Sequence, residues 1–212
     1  MSDVFPSSRH TVLTTDLTDI ACDIMARLKR ETAPLHAELD AIVAPMLLQR
    51  ARYRMLIGGL RDAYGGIERE LARHDSQLSR AGYDFAQRTK LSWLDDDRDA
   101  LAMSEPSAPR SGYTLASAAA AFGAVYVVEG ATLGGQVIAR QVMPVLALTP
   151  ERGCRFFTGY GAETGERWRE TRTAIASHLA AATGPDAADE TIDAASMTFS
   201  LIRATLHARI NS

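Results

Sequence analysis

The chain has little of what usually betrays a chemistry at once. Its two cysteines, Cys22 and Cys154, lie far apart with no C-x-x-C pair. That argues against a disulfide framework and against a thiolate zinc site. Positive charge is not in excess either, because Lys+Arg 23 against Asp+Glu 26 gives a net charge of -3. A basic footprint for nucleic acid is therefore absent, and no nucleic-acid partner is expected. Long hydrophobic runs are missing. The longest, Leu115 to Val128, is alanine-rich and shorter than the roughly 20 residues a bilayer span requires. The first fifteen residues hold Ser, Thr, Pro and Arg but no apolar block of a secretory signal. These absences set the expectation of a soluble, cytoplasmic protein that does not engage membranes.

Several catalytic signatures fail as well. There is no GxxxxGK[ST] for phosphate and no GxSxG nucleophile elbow. A di-iron carboxylate bundle needs Glu-x-x-His on two helices. The residues three before the histidines are Ser7, Ala33, Leu71, Ile175 and Ala204, none of them acidic. His36 and Glu38 form the one HxE, but the PCxxC that a zinc deaminase requires does not follow.

What is present is a globular, helix-prone composition. The chain has 212 residues and 23.0 kDa, with 46% hydrophobic and 23% charged residues, enough for one domain with a real core. Alanine abundance leans toward helix. Residues 1–15 read as a mobile tail and 16–212 as the folded domain. Leu17, Ile20, Ile24, Leu28, Leu35 and Leu39 recur at helical spacings, with Pro34 inside the pattern. Further helices are expected over about 52–74, 85–103 and 114–142, the last stopped by Pro144. One more follows Pro150 and carries Phe156 and Phe157. Two others span about 165–182, ended by Gly184-Pro185, and 186–208. The segment 105–112 (EPSAPRSG) reads as a linker too short to separate two cores. No stretch shows a period of two, so the fold class is all-α, a single domain of six to eight helices.

Two constellations carry chemistry. The first is LKRETAPLHAELD, Leu28 to Asp40. At about 100° per residue, Lys29 lies only ~20° round the helix from His36 and ~10 Å along the axis. Asp40 is one turn beyond on the same face. A carboxylate there can accept the imidazole Nδ1–H and leave Nε2 free for a metal. A cation two turns away can meet an acid group on a large planar ligand. The plain alternative is an exposed histidine beside a surface ion pair. The second is YVVEGATLGGQVIAR, Tyr126 to Arg140. Glycine in a helix interior costs about 1 kcal/mol relative to alanine, so Gly130, Gly134 and Gly135 need a reason. Either a neighbouring helix packs very close, or the backbone approaches a flat ligand.

Together the two segments resemble the heme oxygenase family, especially its bacterial biliverdin-producing branch. The resemblance rests on LKRETAPLH, on YVVEGATLGGQVIAR and on FFTGYGAETGERW (Phe156 to Trp168), with a weaker echo in MTFSLIRATL (Met197 to Leu206). It covers most of the chain from about residue 24 and implies a heme oxygenase-like helical fold. It implies that His36 ligates the iron of heme b, with Asp40 as its partner and Lys29 facing a propionate. Gly130, Gly134 and Gly135 would be the distal backbone against the oxygen site. Tyr126, Phe199 and basic residues of the later helices would line the rim. The implied reaction opens heme at a meso carbon to biliverdin, carbon monoxide and ferrous iron. It uses O2 and an electron-donor protein of ferredoxin or reductase type. One departure stands out: the residue after the first distal glycine is polar in many relatives and here is Ala131. Distal water would then be held by backbone carbonyls or by a side chain such as Arg140 or Glu129. The same pocket without turnover would be a heme carrier or sensor. A heme-free enzyme on this fold or a plain helical interaction module would need neither the framed histidine nor the glycine cluster.

Overall fold

A computed structural model describes residues 9–104, 112–182 and 186–211. Among these are eight α-helices and no strand: α1 (Arg9–Val43), α2 (Arg50–Arg73), α3 (Asp75–Arg80), α4 (Leu91–Ala100), α5 (Ala118–Leu146), α6 (Arg155–Thr158), α7 (Thr164–Ala181) and α8 (Ala187–Ile210). Helix α1 takes in residues 9–15, which the sequence had placed in a tail. Nothing after Pro6 breaks a helix there. Residues 1–8, most of the expected linker (105–111) and the Gly184-Pro185 stop lie outside the described residues. Pro34 sits within α1 without ending it.

Helix α5 is the centre of the core. By length and composition it could cross a membrane, yet 67% of its most apolar stretch is buried inside the protein. It starts at Ser117, which is extended and whose hydroxyl accepts the Ala120 amide at 3.1 Å. It does not stop at Pro144 but ends at Leu146, with Ala147 left-handed and the Leu148 amide returning to the Met143 carbonyl at 3.0 Å. A proline one turn from the end forfeits only its own amide bond, so α5 continues past it.

Helix α8 lies along α5 at very short range. A Cβ built on Gly123 would stand 2.1 Å from the Thr191 carbonyl oxygen and 2.8 Å from the Ala195 amide. Thr191 donates its hydroxyl to the Ala119 carbonyl of α5 at 3.1 Å, which locks the contact. Backbone cannot retreat as a side chain can. Gly123→Ala is therefore expected to cost about 3 kcal/mol, the upper end of overpacking penalties, measurable by urea denaturation of the ligand-free protein.

The expected third helix is in fact a short 3-10 turn, Phe85–Arg88, followed by α4. The run Asp95-Asp96-Asp97 lies within α4, and two of its three carboxylates are engaged. Asp95 accepts from Arg61 at 2.8 Å, and the buried Asp97 accepts the Arg155 and Phe156 amides at 2.6 and 2.9 Å. That carboxylate nucleates α6, which is a single turn rather than a long helix. Burial pushes the Asp97 carboxyl up to about 6 despite those two amide bonds. A raised value favours the folded state fully at low pH, and the contribution is lost as pH rises through 6. Relative to Asp97→Asn, the wild type is expected to gain roughly 2 kcal/mol between pH 7 and 4.5. Denaturant titrations at the two pH values check this.

Candidate active site

Helices α1 and α5 both pack on α7 and α8 but scarcely on each other. These two helices carry the two constellations of the sequence, the first on α1 and the second on α5. On α1, the His36 Nδ1 lies 3.0 Å from the Asp40 carboxylate, the pairing that the i,i+4 spacing requires. Nε2 is left without that partner, and the His36 side chain is 61% exposed. Phe199 of α8 stands edge-on to the imidazole, centroids 5.8 Å apart. Glu38 pairs with Arg203, and Arg27 with Asp189 at 2.5 Å, so two ion pairs seat this stretch of α1 on α8. Arg203, one of the later basic residues, is thereby engaged with α1. Lys29 is exposed on the His36 face.

On α5, Tyr126 is half-buried. Burial pushes its phenol up. Its ring also meets Trp168 of α7 at 5.8 Å. The glycines, grouped together by the sequence, separate here. A Cβ on Gly130 would make an ordinary 3.8 Å contact with Trp168. A Cβ on Gly134 would meet nothing within 4 Å. Gly135 is turned the other way, its Cβ position 3.0 Å from the Phe157 carbonyl oxygen. Gly135 therefore serves close packing against α6, one of the two reasons weighed for it, rather than presenting open space as Gly134 does. Leu133 and Val137, one turn apart beside Gly134, are 41% and 47% exposed, an apolar face without a cover.

These residues suit a flat, partly anionic ligand with a metal. On α1 one imidazole nitrogen is oriented and free, and α5 is open at Gly134 with apolar side chains flanking it. Arg172, one turn beyond Trp168 on α7, also keeps a buried Nε with no hydrogen-bond partner among the described residues. An acidic recess of about 630 Å³ lined by Asp96, Asp99, Glu151 and Arg155 shares none of these residues.

The family model for heme oxygenase matches residues 22–208. The chain belongs to the heme oxygenase family. No curated protein matches it in sequence. Among solved structures it is similar to the NO- and CO-bound heme oxygenase of Neisseria meningitidis, at 20% identity and a TM-score of 0.75. That match covers 89% of this chain and 92% of the other, and it shows a shared heme oxygenase fold. Heme is thus the ligand, and heme degradation the general activity, that membership supports.

Two residues beside Gly130 bear on how distal water would be held. Ala131 is exposed and carries no polar group. Glu129, one of the side chains expected to hold distal water, is only 1% exposed and is spent elsewhere. Its Oε1 accepts from Tyr83 at 2.7 Å, Lys90 at 2.8 Å and Tyr160 at 3.1 Å. Lys90 is itself buried, and burial pulls its ammonium down, opposed chiefly by Glu129. Periodicity could not find this cluster. The available hint was a lone carboxylate in the apolar run preceding Gly130.

Proposed function

We propose that the protein opens heme oxidatively at a meso carbon, yielding biliverdin, carbon monoxide and ferrous iron. It would do so in the cytoplasm, with O2 and electrons from an external donor protein. His36 Nε2 holds the iron of heme b, while Asp40 fixes the imidazole tautomer and raises the basicity of the ligand. Lys29 neutralises a propionate at the cleft edge, and Tyr126 and Phe199 bound the ring plane. Gly130 and Gly134 bring bare backbone to the opposite face of the ring, and Gly135 lets that stretch of α5 sit tight on α6. Heme supplies the oxygen-activating chemistry when bound. The protein's own work is orientation, exclusion of bulk water and a narrow opening beside Gly134.

The observations that carry this reading are the His36–Asp40 pair on α1 with Nε2 free and the open stretch of α5 at Gly134. A second reading, a heme carrier or sensor without efficient turnover, is favoured by the apolar Ala131. One experiment separates them. Hemin is added to the purified protein, then a reductant under air, and the visible spectrum is followed. Decay of the Soret band into a biliverdin spectrum supports the enzyme. A stable Soret band supports the carrier. No spectral change on adding hemin overturns both.

A further inference from the structure

Glu129 sits one residue before Gly130, and burying it calls for an explanation. A buried ion pair seldom stabilises a fold more than apolar side chains of the same volume would. Its best-attested use is to impose one arrangement among several. The glycine turn of α5 is where such a constraint is needed, because a helix without side chains has few knobs to fix its rotation and height.

The polar residues of this turn fall on one stripe. Glu129, Thr132 and Gln136 are spaced i, i+3, i+7, whereas Gly130 and Gly134 lie roughly 120° round the axis. Each member of the stripe is bonded. Besides the three donors on Oε1, the Arg88 guanidinium approaches Glu129 Oε2 at 3.6 Å. Thr132 donates to the Glu129 carbonyl at 2.6 Å. Gln136 donates to the Gly161 carbonyl at 2.5 Å and to Thr164 at 2.8 Å. Lys90 also donates to the Arg88 carbonyl at 2.8 Å, and its own amide is held by Glu68 at 2.6 Å. Arg88 is tied to Glu170 of α7. The anchor thus joins α5 to residues 83–90, to residues 160–164 and, through Arg88, to α7.

We infer that Glu129, held by Lys90, Tyr83 and Tyr160, is a positioning residue that sets the rotation and height of α5. Through it, Gly130 and Gly134 are presented to the heme face. The inference rests on the proposed heme site and adds to it the residues that place the distal backbone. None of them is among the residues proposed to hold heme.

Two variants test it: Glu129→Gln, and the pair Tyr83→Phe with Tyr160→Phe, which removes two donors and keeps the Lys90–Glu129 charges. In the ligand-free protein, amides of residues 130–137 are expected to exchange hydrogen about tenfold faster, with α8 amides unchanged. In the hemin-loaded protein, hemin affinity should change less than about threefold, because the iron ligand is untouched. The pH midpoint of the ferric visible spectrum should move by ~0.5 unit or more, because the groups facing the ring have shifted. An unchanged spectral midpoint would overturn the inference, as would exchange that rises equally over α5 and α8, since both mark a merely structural role. If Glu129→Gln does not fold, the tyrosine pair carries the same expectations. If the wild type fails to bind hemin, the functional reading falls, and the exchange measurement still decides the positioning claim.

Discussion

Replacing His36 by alanine is expected to abolish the absorption band of histidine-ligated heme while leaving the fold intact. The two halves of that expectation have separate grounds. The His36 side chain is 61% exposed, and its contacts are Asp40 at 3.0 Å and the edge of Phe199. Truncating a surface residue of this kind changes stability by no more than about 0.5 kcal/mol. Urea denaturation of the ligand-free variant should therefore overlay the wild type. Its loss of function then reports on the ligand bond alone. Asp40→Ala is the graded companion. It keeps the imidazole but releases its tautomer, and removal of such a partner typically weakens metal binding about 10–100-fold. Hemin titration should thus rank the wild type first, Asp40→Ala weaker, and His36→Ala without the band of histidine-ligated heme. Normal binding by His36→Ala would sink the assignment of the iron ligand.

His36 and Asp40 were legible in the sequence for a simple reason. A helix fixes the geometry of i and i+4 before any tertiary contact forms, so their pairing needed only α1 to exist. The long helices were legible on the same ground, since α1, α2, α5, α7 and α8 bury periodic apolar faces. Shorter elements were not. Helix α6 exists because Asp97, 58 and 59 positions earlier, accepts its first two free amides. The Glu129 cluster was hidden likewise, its donors lying 46, 39 and 31 positions away. Gly123 was passed over because AAAAFGAV looks like any small-residue core until Thr191 is seen against it. Gly135 is the converse case, adjacent to Gly134 in sequence but turned toward Phe157. Neighbours in a helix point about 100° apart, so one can face a cleft while the next faces Phe157.

That separation of the glycines makes Gly134→Ala the sharpest test of the oxygen face. The substitution is expected to stabilise the ligand-free protein and to impair the reaction. Alanine is favoured over glycine in a helix interior by about 1 kcal/mol, and a Cβ here meets nothing within 4 Å to offset the gain. The same methyl projects into the space the distal face must leave open. A displacement of reacting groups by about 1 Å can cost on the order of 100-fold in rate. Biliverdin formation should therefore fall by that order while hemin still binds through His36. The neighbouring glycines supply the controls. Gly135→Ala forces a 3.0 Å approach to the Phe157 carbonyl oxygen and should lose stability, as should Gly123→Ala. Gly130→Ala adds a 3.8 Å contact with Trp168 and should fold normally. A stability gain at Gly134 accompanied by undiminished turnover would show that the open side of α5 is not the face on which oxygen reacts.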